Sequence, residues 1–180
     1  LRSMQLKPRS DVVSSVAIGT FRSFAAALIA ASAALPMPAV AADISDLPPP
    51  LQEKVNQAQQ ACTDFEDGEF VLEWGAITRV DLDGDLRADW ALDETSFACS
   101  SAVSLYCGTG GCMSHFLVGD VLSSLLNKGW DVVNLGPDHV LLTVVHGSQC
   151  GGINPTPCVT ASVWDAEDGM WRSTAAEWED

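Results

Sequence analysis

The sequence predicts an α+β domain that is mostly antiparallel β, with one N-terminal helix and six or seven strands in a curled sheet or sandwich. Two patterns carry this prediction. Hydrophobic residues recur at helical spacing up to Cys62, and from Glu69 onward short runs of β-branched and aromatic residues replace that period. Short turns separate these runs, which is typical of strands that pair antiparallel with their sequence neighbours.

The first 42 residues have the organisation of a signal peptide. Basic residues precede the apolar run "FAAALIAASAAL", and Ala39 and Ala41 form the small pair of an A-x-A cleavage site. The apolar run is too short to span a bilayer as a mature helix. We therefore expect residues 1–42 to be removed on export, and residues 43–180 to form a single disulfide-stapled, β-rich domain.

The exported part is strongly acidic. It keeps five basic residues against 23 acidic ones, so that 5 − 23 gives a formal charge of −18. Nucleic acids and anionic membrane surfaces bind clustered Lys and Arg, so we expect neither as a partner, and no membrane insertion after cleavage. We expect a periplasmic or secreted monomer, and by elimination its partner is an envelope protein or a glycan.

All six cysteines lie in the exported part, and their even number indicates three disulfides in an oxidising compartment. Sequence alone does not select among the pairings that six cysteines allow. Pairing between near neighbours, with one bond from the helix to the sheet, is the arrangement we prefer. The preferred bonds are Cys62–Cys99, Cys107–Cys112 and Cys150–Cys158.

The predicted helix follows the extended segment Pro48–Pro50, since prolines are tolerated only at the start of a helix. Within "LQEKVNQAQQACTDF", Leu51, Val55, Ala58 and Cys62 fall on one apolar stripe, and the opposite face is polar. This amphipathic pattern predicts a helix that packs on the sheet and buries Cys62.

The predicted strands lie in "EFVLEWGAITRVDL", "ADWALDETSF", "CMSHFLVGD", "GWDVVNLG" and "DHVLLTVVHG", and a hairpin joins "CVTASVWD" to "GMWRST" across "AEDG". One segment differs from this pattern. "GDVLSSLLNKGW" has apolar residues at helical spacing and a glycine at its end, which indicates a short helix or a turn between strands. The six tryptophans are interpreted as core residues rather than as the lining of a ligand groove.

The stretch "VDLDGDLRADW" predicts a calcium loop. Asp81, Asp83, Asp85 and Asp89 occupy positions 1, 3, 5 and 9, and Arg87 at position 7 can offer its backbone carbonyl. Alternating oxygens on a tight loop converge on one ion, and a set of hard oxygen ligands suits Ca²⁺ better than Zn²⁺ or copper. We expect such an ion to be structural rather than catalytic.

This loop is not an EF-hand, because Leu92 stands where an EF-hand has its bidentate Glu. It resembles the strand–loop–strand calcium motif of FG-GAP repeats, as in integrin α-chains, whose pattern is D-x-D-G-D-G-x-x-D followed by an apolar residue. The matching residues are Asp81, Asp83, Gly84, Asp85, Asp89 and Trp90; Leu86 departs, since the family prefers Gly there. The signal peptide, this loop and "CGTGGC" together also resemble a group of small exported bacterial proteins. Trp90 occupies the apolar position after the last carboxylate of the loop, and we expect it to be buried.

For function, these observations favour a calcium-binding interaction or inhibitor-like module that is not a catalyst. No catalytic residue is assigned, and His115, His139 and His146 share no metal-ligand spacing, so we interpret them as ordinary structural histidines. The alternative is a periplasmic hydrolase whose site is assembled from residues distant in sequence. A cleft with a Ser/His/Asp constellation would favour that alternative.

Overall fold

We analysed a computed structural model of the protein, which describes residues 44–174. The predicted signal peptide lies outside the described residues, as does Trp178. The described chain has one α-helix and eleven strands, and every strand pair is antiparallel. The predicted class, α+β and mostly antiparallel β with an N-terminal helix, is confirmed, although the strands outnumber the six or seven expected.

The elements follow one another closely along the chain. The helix α1 is Pro49–Asp64, and 3₁₀ turns lie at Ile44–Asp46, Glu94–Ser96 and Gly147–Cys150. The strands are β1 Phe70–Leu72, β2 Ile77–Val80, β3 Asp89–Asp93, β4 Phe97–Cys99, β5 Cys107–Gly108, β6 Gly111–Val118, β7 Val121–Asn127, β8 Trp130–Leu135, β9 Asp138–Val144, β10 Val159–Asp165 and β11 Met170–Thr174.

Three sheets result from this order. In the central sheet β2 pairs with β3, and β3 and β5 pair with successive parts of the same edge of β6. The strand β7 pairs with the other edge of β6. A second sheet has the order β11-β10-β9-β8, and β1 pairs with β4 in a two-stranded ribbon. The predicted hairpin between β10 and β11 is confirmed, with Trp164 opposite Trp171.

The helix α1 buries the stripe that the sequence predicts. Its buried residues are Leu51, Val55, Ala58 and Cys62. Pro48 occupies the N-cap, and Pro49 and Pro50 lie in the first turn of the helix rather than before it, where their missing N–H groups cost no helical hydrogen bond. Among the residues from 44 to 174, no helix is long and apolar enough to cross a membrane.

The central sheet is covered on both faces. Side chains alternate across a strand, so neighbouring residues of β6 enter different cores. Leu117 packs in a cluster with Leu51 and Val55 of α1. Phe116 packs in a second cluster with Leu141 of β9. The first face therefore lies under the helix and the second lies against the other sheet.

This double burial explains why the interpretation of "GDVLSSLLNKGW" as a helix or turn was wrong. The segment is the strand β7, which pairs with β6 along its whole length. Leu122 enters the core beneath α1, and Leu125 enters the core between the sheets. Two apolar residues three positions apart mimic a helical stripe when each faces a different core of a strand.

The structure has more strands than predicted because a predicted run can contain two strands and because some strands are very short. The run that begins at Glu69 contains both β1 and β2, because the chain turns at Gly75, whose φ of +90° is available to glycine without strain. The strands β4 and β5 have only three and two residues. Segments this short carry too little alternation to be recognised from sequence.

All three preferred disulfides are present: Cys62–Cys99, Cys107–Cys112 and Cys150–Cys158. The first joins α1 to β4, and the second closes the turn between β5 and β6. Three disulfides are compatible with an extracellular or otherwise oxidising compartment.

The tryptophans do not all behave as expected. Trp130, Trp164 and Trp171 pack against the core between the sheets, as predicted. Trp90 packs against the core beneath α1 but is only partly buried, contrary to our expectation, and the guanidinium of Arg79 lies 3.9 Å from the centroid of its ring. Trp74 is 89% exposed.

Leu82, inside the acidic loop, provides the strongest link between that loop and the core. It is fully buried, whereas Leu86 of the same loop is 91% exposed. We expect Leu82→Ala to lower the free energy of unfolding by about 2–5 kcal/mol, because it removes buried methyl groups and leaves a cavity. Leu86→Ala is the matched control and should change stability by no more than about 0.5 kcal/mol. Urea unfolding of both variants checks this; equal losses would contradict the assigned packing of Leu82.

Candidate functional site

The acidic loop joins β2 to β3 and lies against the second sheet. Nδ1 of His139 in β9 donates to the backbone carbonyl of Asp81 at 2.9 Å. Gly84 lies beside the same imidazole, and a Cβ added there would sit 3.4 Å from the ring. Leu82 is buried in the core between the two sheets, so the loop is anchored both by this side chain and by its contact with His139 of the second sheet.

Each of the four loop carboxylates accepts a hydrogen bond from a backbone N–H group of the loop. Asp81 accepts hydrogen bonds from the N–H of Gly84 at 2.7 Å and of Leu86 at 3.0 Å. Asp83 accepts from the N–H of Asp85 at 3.0 Å. Such charge-assisted bonds partly offset the repulsion between neighbouring charges.

Three of the predicted ligands come together. Asp81, Asp83 and Asp89 are each partly buried, and each places one carboxylate oxygen within 4.8 Å of the others. Asp83 and Asp89 also line a surface concavity of about 250 Å³, so solvent and small ions reach them. Three converging carboxylate oxygens form a donor set that suits a hard cation.

The surroundings of Asp89 shift the pKa of its carboxyl group. Burial raises the pKa of its carboxyl, and the charges of Asp83 and Asp85 act in the same direction. Hydrogen bonds from the backbone N–H of Leu82 at 3.0 Å and of Gly119 at 3.4 Å lower the pKa but do not cancel the rise. Ionisation of Asp89 is therefore disfavoured when no cation is near.

The structure does not bring Asp85 into the cluster. Its carboxylate accepts a hydrogen bond from Nε of Arg87 at 2.7 Å, and this bond is the main reason that the pKa of Asp85 is lowered. Arg87 thus acts through its side chain as the partner of Asp85. Its backbone carbonyl as an ion ligand stays a prediction.

A second group of polar side chains lies on the helix-facing side of the central sheet. His115 of β6 is only 3% exposed, and both of its ring nitrogens have partners. Nδ1 lies 2.7 Å from Oγ of Ser124, and Nε2 lies 2.9 Å from Oε1 of Glu94. The three side chains line one cavity of about 330 Å³ beside α1. We name this group the Glu–His–Ser cluster.

Sequence reasoning did not find the Glu–His–Ser cluster. Its members come from the 3₁₀ turn after β3, from β6 and from β7, and no motif spacing connects them. One signal was available in principle, because His115 and Ser124 are directly opposed partners of adjacent antiparallel strands. That pairing is visible only once Val121–Asn127 is recognised as a strand.

Comparisons with protein-family models, with curated proteins and with solved structures found no match for this chain. The chemistry of both clusters is therefore interpreted from the chain's own residues. The resemblance of the acidic loop to FG-GAP repeats stays a prediction, and the pairing of Asp85 with Arg87 departs from the ligand set that this resemblance implies.

The pKa shifts of Asp89 and Asp85 predict opposite effects of neutral substitutions. The pKa of Asp89 is raised in the folded state. Its favourable contribution to the free energy of unfolding is therefore complete below the unfolded pKa of about 3.9, and it is lost as the pH rises through the folded pKa. We expect Asp89→Asn to raise the melting temperature in chelator at pH 7, and to have no such effect near pH 3.

Asp85→Asn is the matched control in the same loop. The pKa of Asp85 is lowered in the folded state. Its favourable contribution to the free energy of unfolding is therefore present above the unfolded pKa and is lost as the pH falls through the folded pKa. We therefore expect Asp85→Asn to lower the melting temperature at pH 7. If both substitutions raise it equally, general charge repulsion dominates and the individual environments of the two carboxyls are irrelevant.

Proposed function

We propose that this protein is an exported calcium-binding module, periplasmic or secreted, in which Asp81, Asp83 and Asp89 bind one Ca²⁺ ion. The observation that carries the proposal is the convergence of three carboxylate oxygens within 4.8 Å of one another. Three negative charges at this separation repel one another, and a divalent cation among them converts the repulsion into attraction. The predicted signal peptide supports export, and the three disulfides are compatible with an oxidising compartment.

Calcium fits this donor set better than the common competing metals. Ca²⁺ binds six to eight oxygens in a flexible geometry, and carboxylates, backbone carbonyls and water together complete such a shell. Mg²⁺ requires near-octahedral geometry and keeps several waters, so fewer protein oxygens bind it. Zn²⁺ and copper prefer nitrogen and sulfur ligands, and the nearest histidine nitrogen, Nδ1 of His139, donates to a carbonyl.

The proposed role of the ion is structural. Asp81 belongs to the part of the loop that contacts His139 of β9, and Asp89 accepts a hydrogen bond from Gly119 between β6 and β7. An ion that joins these carboxylates would hold the loop between both sheets. The acidic, cation-stabilised surface would then be available to an envelope protein or a glycan, the partner class proposed from composition.

Thermal unfolding in chelator, in Ca²⁺ and in Mg²⁺ tests this proposal. Exported modules commonly bind Ca²⁺ with dissociation constants of about 10⁻⁴–10⁻³ M. At roughly 1 mM Ca²⁺, binding to the native state alone then stabilises by about 0.4–1.4 kcal/mol, which raises the melting temperature by a few degrees. Mg²⁺ should raise it less.

Two charge-matched variants identify the ligands. We expect Asp83→Asn to lose most of the calcium-induced rise, because Asp83 is in the carboxylate cluster. Asp85→Asn removes the same charge from the same loop but should retain the rise, because Asp85 is paired with Arg87. A wild-type melting temperature that is equal in all three solutions, together with no heat of binding up to several millimolar Ca²⁺, would show that the loop binds no calcium.

A further inference from the structure

The Glu–His–Ser cluster has the bonding order of a nucleophile, a base and an orienting carboxylate. An ionised Glu94 only accepts hydrogen bonds, so in the neutral imidazole the proton lies on Nε2 and is donated to Glu94. Nδ1 is then an acceptor, and the hydroxyl of Ser124 donates to it at 2.7 Å. Nucleophilic serines are activated by such an adjacent base, which a third group holds in one tautomer.

The three side chains of the cluster differ in exposure in the way that a serine nucleophile requires: the base and the carboxylate are covered, and the hydroxyl is open to solvent. His115 is 3% exposed and the side chain of Glu94 is 16% exposed, so bulk water does not compete strongly for their hydrogen bond. Ser124 is exposed, and its strand β7 pairs with β6 alone among the described strands. The base and the carboxylate are thus protected, whereas the hydroxyl is accessible from the cavity.

The cavity limits the size and the character of a substrate. Its volume of about 330 Å³ is near the lower end of the range for small-molecule sites. Ala58, Leu105 and Met113 give it an apolar wall. Lys54 also lines it, and a positive charge there favours a transition state on which negative charge develops. These features fit the acyl part of a short ester.

We propose that Ser124, His115 and Glu94 form a hydrolytic site for short acyl esters, separate from the acidic loop. Oγ of Ser124 attacks the ester carbonyl carbon, and its proton passes to Nδ1 of His115. The bond from the carbonyl carbon to the alcohol oxygen then breaks, and the leaving alcohol takes that proton. Water attacks the acyl-serine in the same way, which releases the carboxylic acid and restores Ser124. Glu94 stabilises the transient imidazolium through Nε2.

A fluorophosphonate probe tests the nucleophile directly, because a serine displaces fluoride from phosphorus only when it is activated. We expect the folded wild-type protein to gain one phosphonyl group, measured by intact mass and located on Ser124 by peptide mapping. Ser124→Ala should abolish the labelling. Because Ser124 is at an exposed position of an edge strand, this variant should remain folded, which circular dichroism checks.

The neighbouring serine is the matched control. Ser123 is paired with Phe116, so it lies on the face of β7 opposite to Ser124 and away from His115. Ser123→Ala should therefore be labelled at the wild-type rate. Glu94→Gln keeps the size of the side chain but removes its charge, and it should slow labelling and p-nitrophenyl acetate hydrolysis at least about tenfold.

The opposite results overturn the proposal. If the folded wild-type protein is not labelled, or if Ser123 and Ser124 are labelled equally, Ser124 is an ordinary serine and the cluster only satisfies a buried histidine. The same conclusion follows if Ser124→Ala hydrolyses p-nitrophenyl acetate at the wild-type rate. None of these results depends on calcium, so the outcome is separable from that of the acidic loop.

Discussion

The burial of the central sheet on both faces is the constraint on which the rest of the structure depends. Phe116 and Leu117 are neighbours in β6, yet one is in the core between the sheets and the other is in the core beneath α1. An antiparallel sheet commonly leaves one face in water and then shows a regular apolar–polar alternation. Here both faces need apolar residues, so the alternation disappears from β6 and β7 and a helix-like spacing replaces it.

The same two-sided arrangement separates the two clusters in space. The acidic loop leaves β2 with Leu82 in the core between the sheets, and its contact with His139 belongs to that side. His115 is on the helix-facing side, where its ring meets Glu94 and Ser124 beside α1. A cation bound at the loop and a substrate bound in the cavity would therefore act through different layers of the fold.

The acidic loop also shows how a strongly negative chain arranges its charges locally. Asp81 and Asp83 are supported by N–H groups of the loop, and Asp85 is supported by Arg87. Asp89 is different, because burial raises its pKa despite two N–H donors. A cation bound among these carboxylates would favour the ionised form of Asp89.

The sequence by itself determined the helix, the antiparallel class and the position of the acidic loop, because each depends on local periodicity or on a short motif. It did not select the disulfide pairs, because six cysteines allow other pairings and Cys62 and Cys99 are 37 positions apart. It did not determine which carboxylates converge, since the turn of Asp85 towards Arg87 depends on loop geometry. It also concealed the Glu–His–Ser cluster. Glu94, His115 and Ser124 become neighbours only through the register in which β3 and β7 pair with β6. That register depends on which residues of each strand are buried in the core on either side of the sheet.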